Sequence, residues 1–428
     1  GSLKLPISEV IWTTIATGKP PYAHGIINNL MEDPDTNQII LPTSNLRKVK
    51  AIWNILSEHK KKVGVMGYQV SWPAEKVNGA MISIGANESG YFSSRCAEPP
   101  FESLCTEKIF DSFHEVRDIP AMLMEQEWVF KLDTFISSFS EYLLKKQNFD
   151  FFCLYFRGID VLSHRYWEYM FPEVQGVSPE DISRYKDVIN DYYIWCDNVI
   201  GDLLKIIDRN TTVIIVSDHG FKTRENRENE YIFSGMDNLL KVCDLKKFNY
   251  NSKAVTLENT QRNQGEYKKN IKIIGELSKE EFNAVREKAK NILKNIKVIE
   301  TGQPFFNIPM DTKLGFVLDA DKEYVERALK HHILINNHEY KILDFFTWYP
   351  NSGDHDENDA IIIISGRNIR QHQHLKGASV YDITPTLLYM LDLPVAADMS
   401  GKVLVNAING DLLNKRPVRY ISTYEKNK

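Results

Sequence analysis

Short apolar runs rich in β-branched and aromatic residues recur along the chain, separated by stretches with helical spacing. Val63–Val70 (VGVMGYQV), Phe151–Phe156 (FFCLYF), Thr212–Ser217 (TVIIVS) and Ala360–Ser365 (AIIIIS) read as buried strands, because apolar residues dominate both of their faces. Between them, Asn45–Glu58 sets Leu46, Val49, Ile52, Trp53 and Leu56 on one helical face. Residues 120–147 and 180–208 read as long helices, and Val380–Leu391 as a helix leading into Leu393-Pro394. Near the start, residues 6–29 run from a hydroxyl-rich turn into a short apolar helix. That helix stops at Thr17-Gly18, and the chain returns through His24-Gly25 to the pair Asn28-Asn29. Alternating strands and helices predict an α/β fold, a three-layer α/β/α arrangement around a mostly parallel central sheet. A site in such a fold lies beyond the carboxyl ends of the strands.

Residues 222–345 depart from this pattern. The stretch opens with a charged run, KTRENRENE, and carries its own helix near 279–297. Ser278 and Glu281 form a capping box there, with Leu277 and Phe282 as the hydrophobic staple. Shorter strand-like runs follow at Leu314–Leu318 and His332–Ile335. The segment interrupts the main pattern, so it reads as an inserted α+β lobe (222–345) within a domain made of 1–221 and 346–428. Tyr267, Lys268 and Lys269 of the lobe read as solvated surface.

Composition narrows the picture without deciding it. A net charge of -5 excludes an obvious nucleic-acid-binding surface, and the run His59-Lys60-Lys61-Lys62 reads as a solvated helix end. Cys96, Cys105, Cys153, Cys196 and Cys243 form no CxxC pair, which argues against a disulfide framework or a thiolate zinc site. Cys96 and Cys105 could bridge one loop if the protein is exported, but buried or idle thiols are the plainer reading. No apolar run reaches the about 18 residues of a membrane span, and no signal peptide is recognisable.

Candidate chemistry sits beside the strands. Strand 212–217 ends in Asp218-His219-Gly220, and strand 151–156 leads to Asp160 and His164, whose i, i+4 spacing puts both on one face of a helical turn. His355 lies in SGDHDEND before strand 360–365. Each alone has a plainer reading: an Asx-turn, a helix cap, a loop histidine. Together they offer two carboxylates and three imidazoles from three segments, a donor set for two neighbouring divalent metal ions. Zinc suits mixed His/Asp ligation, with manganese as the competitor. Two ions ~4 Å apart would serve an in-line phosphoryl displacement.

The order of hydroxyl helix with T-G and H-G, then D-x-x-x-H, then S-D-H-G, then a late His resembles the alkaline phosphatase superfamily. Within it, the type I phosphodiesterase/nucleotide pyrophosphatase branch is the most similar. The resemblance takes in the Trp-Pro turn of SWPAEKVNG (71–79) and the closing YDITPTLLYMLDLP (381–394). It implies a metal-dependent phosphohydrolase acting on phosphodiester or pyrophosphate bonds of small, nucleotide-like phosphorylated substrates through a serine phosphoenzyme. It places the nucleophile ten positions before Gly18, at Ser8 rather than at Thr13 or Thr14, which then pack or cap within the helix. Asn29 matches the phosphate-binding Asn. Asp160, His164 and His355 match the ligands of one metal; Asp218 and His219, with Ser8, match those of the other. His24 reads as a local structural residue.

In one respect the chain departs from the family pattern, which also takes an Asp from an apolar-Asp-Gly strand upstream of the nucleophile. Only seven residues precede Ser8, and none is acidic. The expectation is a portion of a longer protein whose first strand lies outside this sequence, with weak metal binding at Asp218/His219 and little activity as it stands. A sulfatase is disfavoured because Ser8 is followed by Glu9, Val10, Ile11 and Trp12 rather than the C/S-x-P-x-R run. A phosphoglycerate mutase is disfavoured because the insertion follows Asp218-His219. The alternatives carried are a phosphomonoesterase of the same superfamily and a non-catalytic module that binds phosphorylated ligands. The resemblance leans towards the cell envelope or exterior; oligomeric state is open.

Overall fold

A computed structural model describes residues 6–35, 37, 39–83, 97–104, 127–171, 177–224, 230–259, 267–349 and 352–425. Cys96, Cys105 and the stretch 120–126 lie outside the described residues; Cys153, Cys196 and Cys243 are free thiols. The chain divides into two compact units, one of residues 1–29, 42–224 and 352–428, the other of 30–41 and 225–351. The boundaries expected at 221/222 and 345/346 thus fall at 224/225 and 351/352. The segment Leu30–Leu41, expected with the first domain, clusters with the second unit, where Ile39 N–H donates to Asn270 Oδ1 at 3.3 Å.

In the first unit, helix α1 (Ser8–Thr17) is buried along nearly its whole length. It can hold three threonines in that setting because each hydroxyl donates back one turn: Thr13 to Glu9 O (2.7 Å), Thr14 to Val10 O (2.9 Å) and Thr17 to Thr13 O (2.8 Å). Helix α2 (Ile52–Glu58) begins later than the apolar spacing predicts. Arg47 instead turns its guanidinium to Val49 O, Asn54 Oδ1 and the Glu75 carboxylate, and Asn54 Oδ1 accepts from Ala51 N–H. These local bonds compete with helix over 47–51.

Strand β1 (Val63–Met66) is fully buried and lies parallel between β2 (Gly79–Ile82) and β3 (Phe151–Leu154). Helix α3 (Glu127–Lys146) precedes β3, and helix α4 (Gly158–Met170) follows it. The helix expected over 180–208 is broken into α5 (Pro179–Tyr185) and α6 (Val188–Ile206). The polar run of α5 buries no side chain, whereas Val188, Ile189, Tyr192 and Cys196 of α6 join Leu162 and Tyr166 of α4 in one apolar cluster.

Next come β4 (Val213–Val216), β5 (Gly220–Thr223), β6 (Gly353–Asp356), β7 (Ile362–Ser365) and α7 (Ile383–Met390). The fold is α/β, but parallel pairing in the larger sheet is confined to β1–β2 and β1–β3. Strand β7 runs antiparallel to β4, and β6 antiparallel to β5, in ladders separate from that sheet. The second edges of β3 and β4 carry no ladder among the described residues, and both strands are only half-buried.

The second unit builds an antiparallel sheet from Lys247–Tyr250, Lys253–Asn259, Lys268–Ile274, Gly315–Ala320 and Phe306–Asn307. Helix Lys279–Lys294 buries Val285, Ala289 and Leu293. Tyr267 and Lys269 are not solvated surface. Strand alternation puts Lys269 on the face of Ile271 and Ile273, opposite Leu318, where it is 1% exposed and burial lowers its amine to about 8. Lys268, the neighbour on the other face, is exposed.

The capping box forms as the spacing predicts: Ser278 Oγ accepts from Glu281 N–H at 3.2 Å, and Glu281 Oε2 accepts from Ser278 N–H at 2.8 Å. Replacing Ser278 by Ala should cost about 1 kcal/mol. Urea unfolding of the protein should show a lowered midpoint with an unchanged slope.

Candidate metal centre

Six side chains from four stretches of chain meet beyond the ends of β3 and β4. Asp160 and His164 come from the first turns of α4, one turn apart on one face. Asp218 and His219 follow β4 after Ser217. His355 projects from β6, opposite Phe221 of β5. Ser8 is the first residue of α1.

One ligand atom each from Asp160, His164 and His355 lies within 4.8 Å of the others. His164 Nε2 and His355 Nε2 are 2.8 Å apart, and Asp160 Oδ1 stands 3.2 Å from His355 Nε2 and 3.5 Å from His164 Nε2. His219 joins them with Nε2 3.7 Å from Asp160 Oδ1, 3.3 Å from Asp218 Oδ2 and 3.2 Å from Ser8 Oγ. Its ring stacks on that of His355 at 3.5 Å.

The opposite nitrogens explain this convergence. His164 Nδ1 faces Gly353 O (2.9 Å), His219 Nδ1 faces Gly220 O (3.0 Å) and His355 Nδ1 faces Pro6 O (2.5 Å). A carbonyl can only accept, so each Nδ1 carries the proton and each Nε2 turns its lone pair to the centre. Gly353 makes this possible, because a Cβ there would stand 2.4 Å from Ser163 O and push β6 away from α4.

Charge follows the same geometry. Burial alone would raise the Asp160 carboxyl, but the imidazoles of His164 and His355 outweigh it and hold Asp160 well below the usual carboxylate range. Burial first, then the charge of Asp160, pushes Asp218 up to about 7. Burial, then His355, lowers His219 to about 4, so its ring is neutral near pH 7. Asp218 Oδ2 is buried and has no hydrogen-bond partner among the described residues, while Ser8 bonds the same carboxylate group. An orphaned carboxylate oxygen beside inward-facing imidazole lone pairs is what a divalent cation requires, so the residues present fit such an ion.

One expected site residue stands outside this cluster, as does His24, which the sequence reads as structural. Asn29 is exposed, its backbone amide donates to Asn28 Oδ1, and its side chain makes no hydrogen bond to the cluster among the described residues. His24 is buried between turns: its Nε2 meets Thr14 Oγ1 at 3.0 Å, its Nδ1 accepts from Ile26 N–H, and burial lowers it to about 4. Two residues at the site escaped the sequence reading. Glu9, beside Ser8, lies near Arg157, Asp160 and His355, and burial raises its carboxyl. Phe221 packs its ring 4.9 Å from His164 and 5.4 Å from both His219 and His355. Its position two residues after His219 on a strand, hence on the same face, was the available signal.

Over residues 7–348 the sequence matches the family described as type I phosphodiesterase/nucleotide pyrophosphatase. The chain belongs to this family. The family is one of phosphodiesterase and nucleotide pyrophosphatase hydrolases. No curated protein matches the sequence. Among solved structures, human ectonucleotide pyrophosphatase/phosphodiesterase 5 is 16% identical, with 96% of this chain and 90% of that chain covered and a TM-score of 0.44. The inactive murine counterpart in complex with AMP is 15% identical (92% and 85% covered, TM-score 0.40). Phosphonoacetate hydrolase from Sinorhizobium meliloti 1021, in complex with phosphonoformate, is 14% identical (90% and 84% covered, TM-score 0.41). Among the described residues no helix is long and apolar enough to cross a membrane.

The family member's metal-free form should carry a pH-dependent penalty from Asp218. Its folded value of about 7 lies above the ordinary 3.8, so its favourable contribution is complete below pH ~4 and is lost as pH rises through 7. Asp218→Asn should therefore stabilise chelator-treated protein at pH ~8 relative to pH ~4, by on the order of 3 kcal/mol. Urea unfolding of both proteins across that range, with chelator present, checks this; parallel pH profiles would contradict it.

Proposed function

We propose that this site hydrolyses phosphodiester or pyrophosphate bonds of small, nucleotide-like substrates, with Ser8 as nucleophile and divalent metal, most simply zinc, bound by the surrounding donors. The supporting observation is the position of Ser8 Oγ, 3.2 Å from His219 Nε2, at the first turn of a helix and at the edge of the carboxylate–imidazole cluster. Asp160, His164 and His355 would hold one ion, and Asp218 and His219 a second. An ion bound there lowers the pKa of a coordinated hydroxyl and neutralises charge on phosphate oxygens.

Each residue has a task in this reading. Intrahelical bonding in α1 starts with Val10 and Ile11 donating to Ile7 O, which leaves the Ser8 and Glu9 amides outside the ladder, with that of Glu9 meeting its own carboxylate. Ser8 Oγ, adjoining that amide pair, gives up its proton to solvent and attacks phosphorus, and the P–O bond to the leaving group breaks on the opposite side with its electron pair staying on the leaving oxygen. The exposed amide of Asn29 donates to a non-bridging phosphate oxygen. Water then cleaves the Ser8–phosphate ester and restores the hydroxyl. Neutral His219 keeps its Nδ1 proton on Gly220 O throughout, which fixes its ring beside Ser8.

The proposed architecture is a catalytic alkaline-phosphatase-like domain, a three-layer α/β/α unit, expected over 1–221 and 346–428 and compact over 1–29, 42–224 and 352–428, with the stretch expected as 222–345 an inserted lobe.

Chromogenic p-nitrophenyl mono- and diesters with added zinc or manganese test the reading. Ser8→Ala should lower diester turnover by roughly 10³-fold or more while zinc still binds. Asn29→Ala should lower it by roughly 10²-fold. Full activity in Ser8→Ala would remove Ser8 as the nucleophile. Turnover of the monoester alone would favour a phosphomonoesterase, and no turnover despite bound metal would favour a phospho-ligand-binding module.

A further inference from the structure

We infer that Asp133 is a positioning residue for the metal site, fixing the first turn of α4 where Asp160 and His164 can reach the other donors. This rests on the metal reading above. Arg157, the residue preceding α4, supplies no side-chain cap of its own. Yet the opening amides of a buried helix need acceptors. Asp133 of α3 supplies them from outside the helix: Arg157 N–H donates to Oδ1 at 3.1 Å, and Gly158 N–H donates to Oδ2 at 2.7 Å. Tyr192 of α6 donates its hydroxyl to the same Oδ2 at 2.5 Å.

Asp133 is 0% exposed and Tyr192 1% exposed, so water cannot replace either group. One carboxylate therefore ties together three helices. A negative charge at this point also complements the helix dipole. Gly158 is part of the device, because a Cβ there would meet the Tyr192 hydroxyl at 2.0 Å and break the approach.

The consequence for the site follows from helix stiffness. Asp160 lies in the turn that Asp133 caps, and His164 lies one turn on. The far side of that second turn is held by Ser352 N–H donating to His164 O at 2.7 Å and by Gly353 O at His164 Nδ1. The two anchors clamp the metal-bearing turns from both ends. A shift of about 1 Å at the N-terminal anchor exceeds the tolerance of about 0.5 Å for well-placed ligands. It would take Asp160 Oδ1 out of the 3.2–3.7 Å range it keeps from three imidazoles.

A purely structural cap would change stability and leave the zinc affinity of the folded protein alone. Competition with a chromogenic chelator measures that affinity for wild type, Asp133→Ala, Asp133→Asn, Tyr192→Phe and Asp160→Ala, with far-ultraviolet circular dichroism to confirm folding. Asp133→Ala should weaken zinc binding by roughly 10- to 100-fold. Asp133→Asn, which keeps an acceptor for Gly158, should recover part of the loss, and Tyr192→Phe should lose least. If Asp133→Ala does not fold, Asp133→Asn carries the comparison. Wild-type affinity in both Asp133 variants, with binding lost in Asp160→Ala, would overturn the positioning role and leave the site intact. Wild-type affinity in Asp160→Ala would overturn the metal reading itself.

Discussion

Imidazole lone pairs facing one another at hydrogen-bond distance repel unless something positive lies between them. That constraint organises the first unit. His164, His219 and His355 each commit Nδ1 to a backbone carbonyl, so their Nε2 atoms have no choice but to face inwards, towards two carboxylates. Backbone carbonyls cannot rotate away as side chains can. The inward orientation is therefore built into the chain path at Pro6, Gly220 and Gly353 rather than into rotamer preference. A divalent ion answers the crowding, the orphaned oxygen of Asp218 and the ionised Asp160 together.

The surrounding elements serve that convergence. Strands β3 and β4 end at the site and hand over to Asp160 and Asp218. The β5–β6 ribbon brings His355 back across the chain, with Phe221 against the histidine rings. The approach of β6 to α4 depends on a glycine that lets backbone meet backbone. Helix α1 is buried with its threonine hydroxyls satisfied within the helix, and Ser8, its first residue, delivers the hydroxyl to the cluster's edge. Stability is set aside in the process, since burial and the charge of Asp160 outweigh the hydrogen bonds that Ser8 and the backbone give Asp218.

Much of this was legible in the sequence where a local rule fixes geometry. The i, i+4 spacing of Asp160 and His164 and the strand-end position of Asp218-His219 depend only on helix and strand periodicity. So does the capping box at Ser278. What was not legible depends on partners far along the chain. The helix expected from Asn45 starts at Ile52 because Arg47 finds Glu75. Lys269 reads as a surface lysine beside Lys268, yet the pairing with Leu318 turns it inward. The run AIIIIS suggests a parallel core strand, and the structure pairs it antiparallel to β4. Glu9 looks like an ordinary first-turn carboxylate until the fold brings Arg157 and Asp160 beside it.

Anomalous diffraction at the zinc absorption edge, from crystals of zinc-loaded protein, tests the central claim most directly. The account predicts a strong peak within bonding distance, about 2.0–2.2 Å, of His164 Nε2, His355 Nε2 and an Asp160 carboxylate oxygen. It predicts a second peak near Asp218 and His219, next to Ser8 Oγ. A map with no peak at either place, in protein shown to be folded, would contradict it.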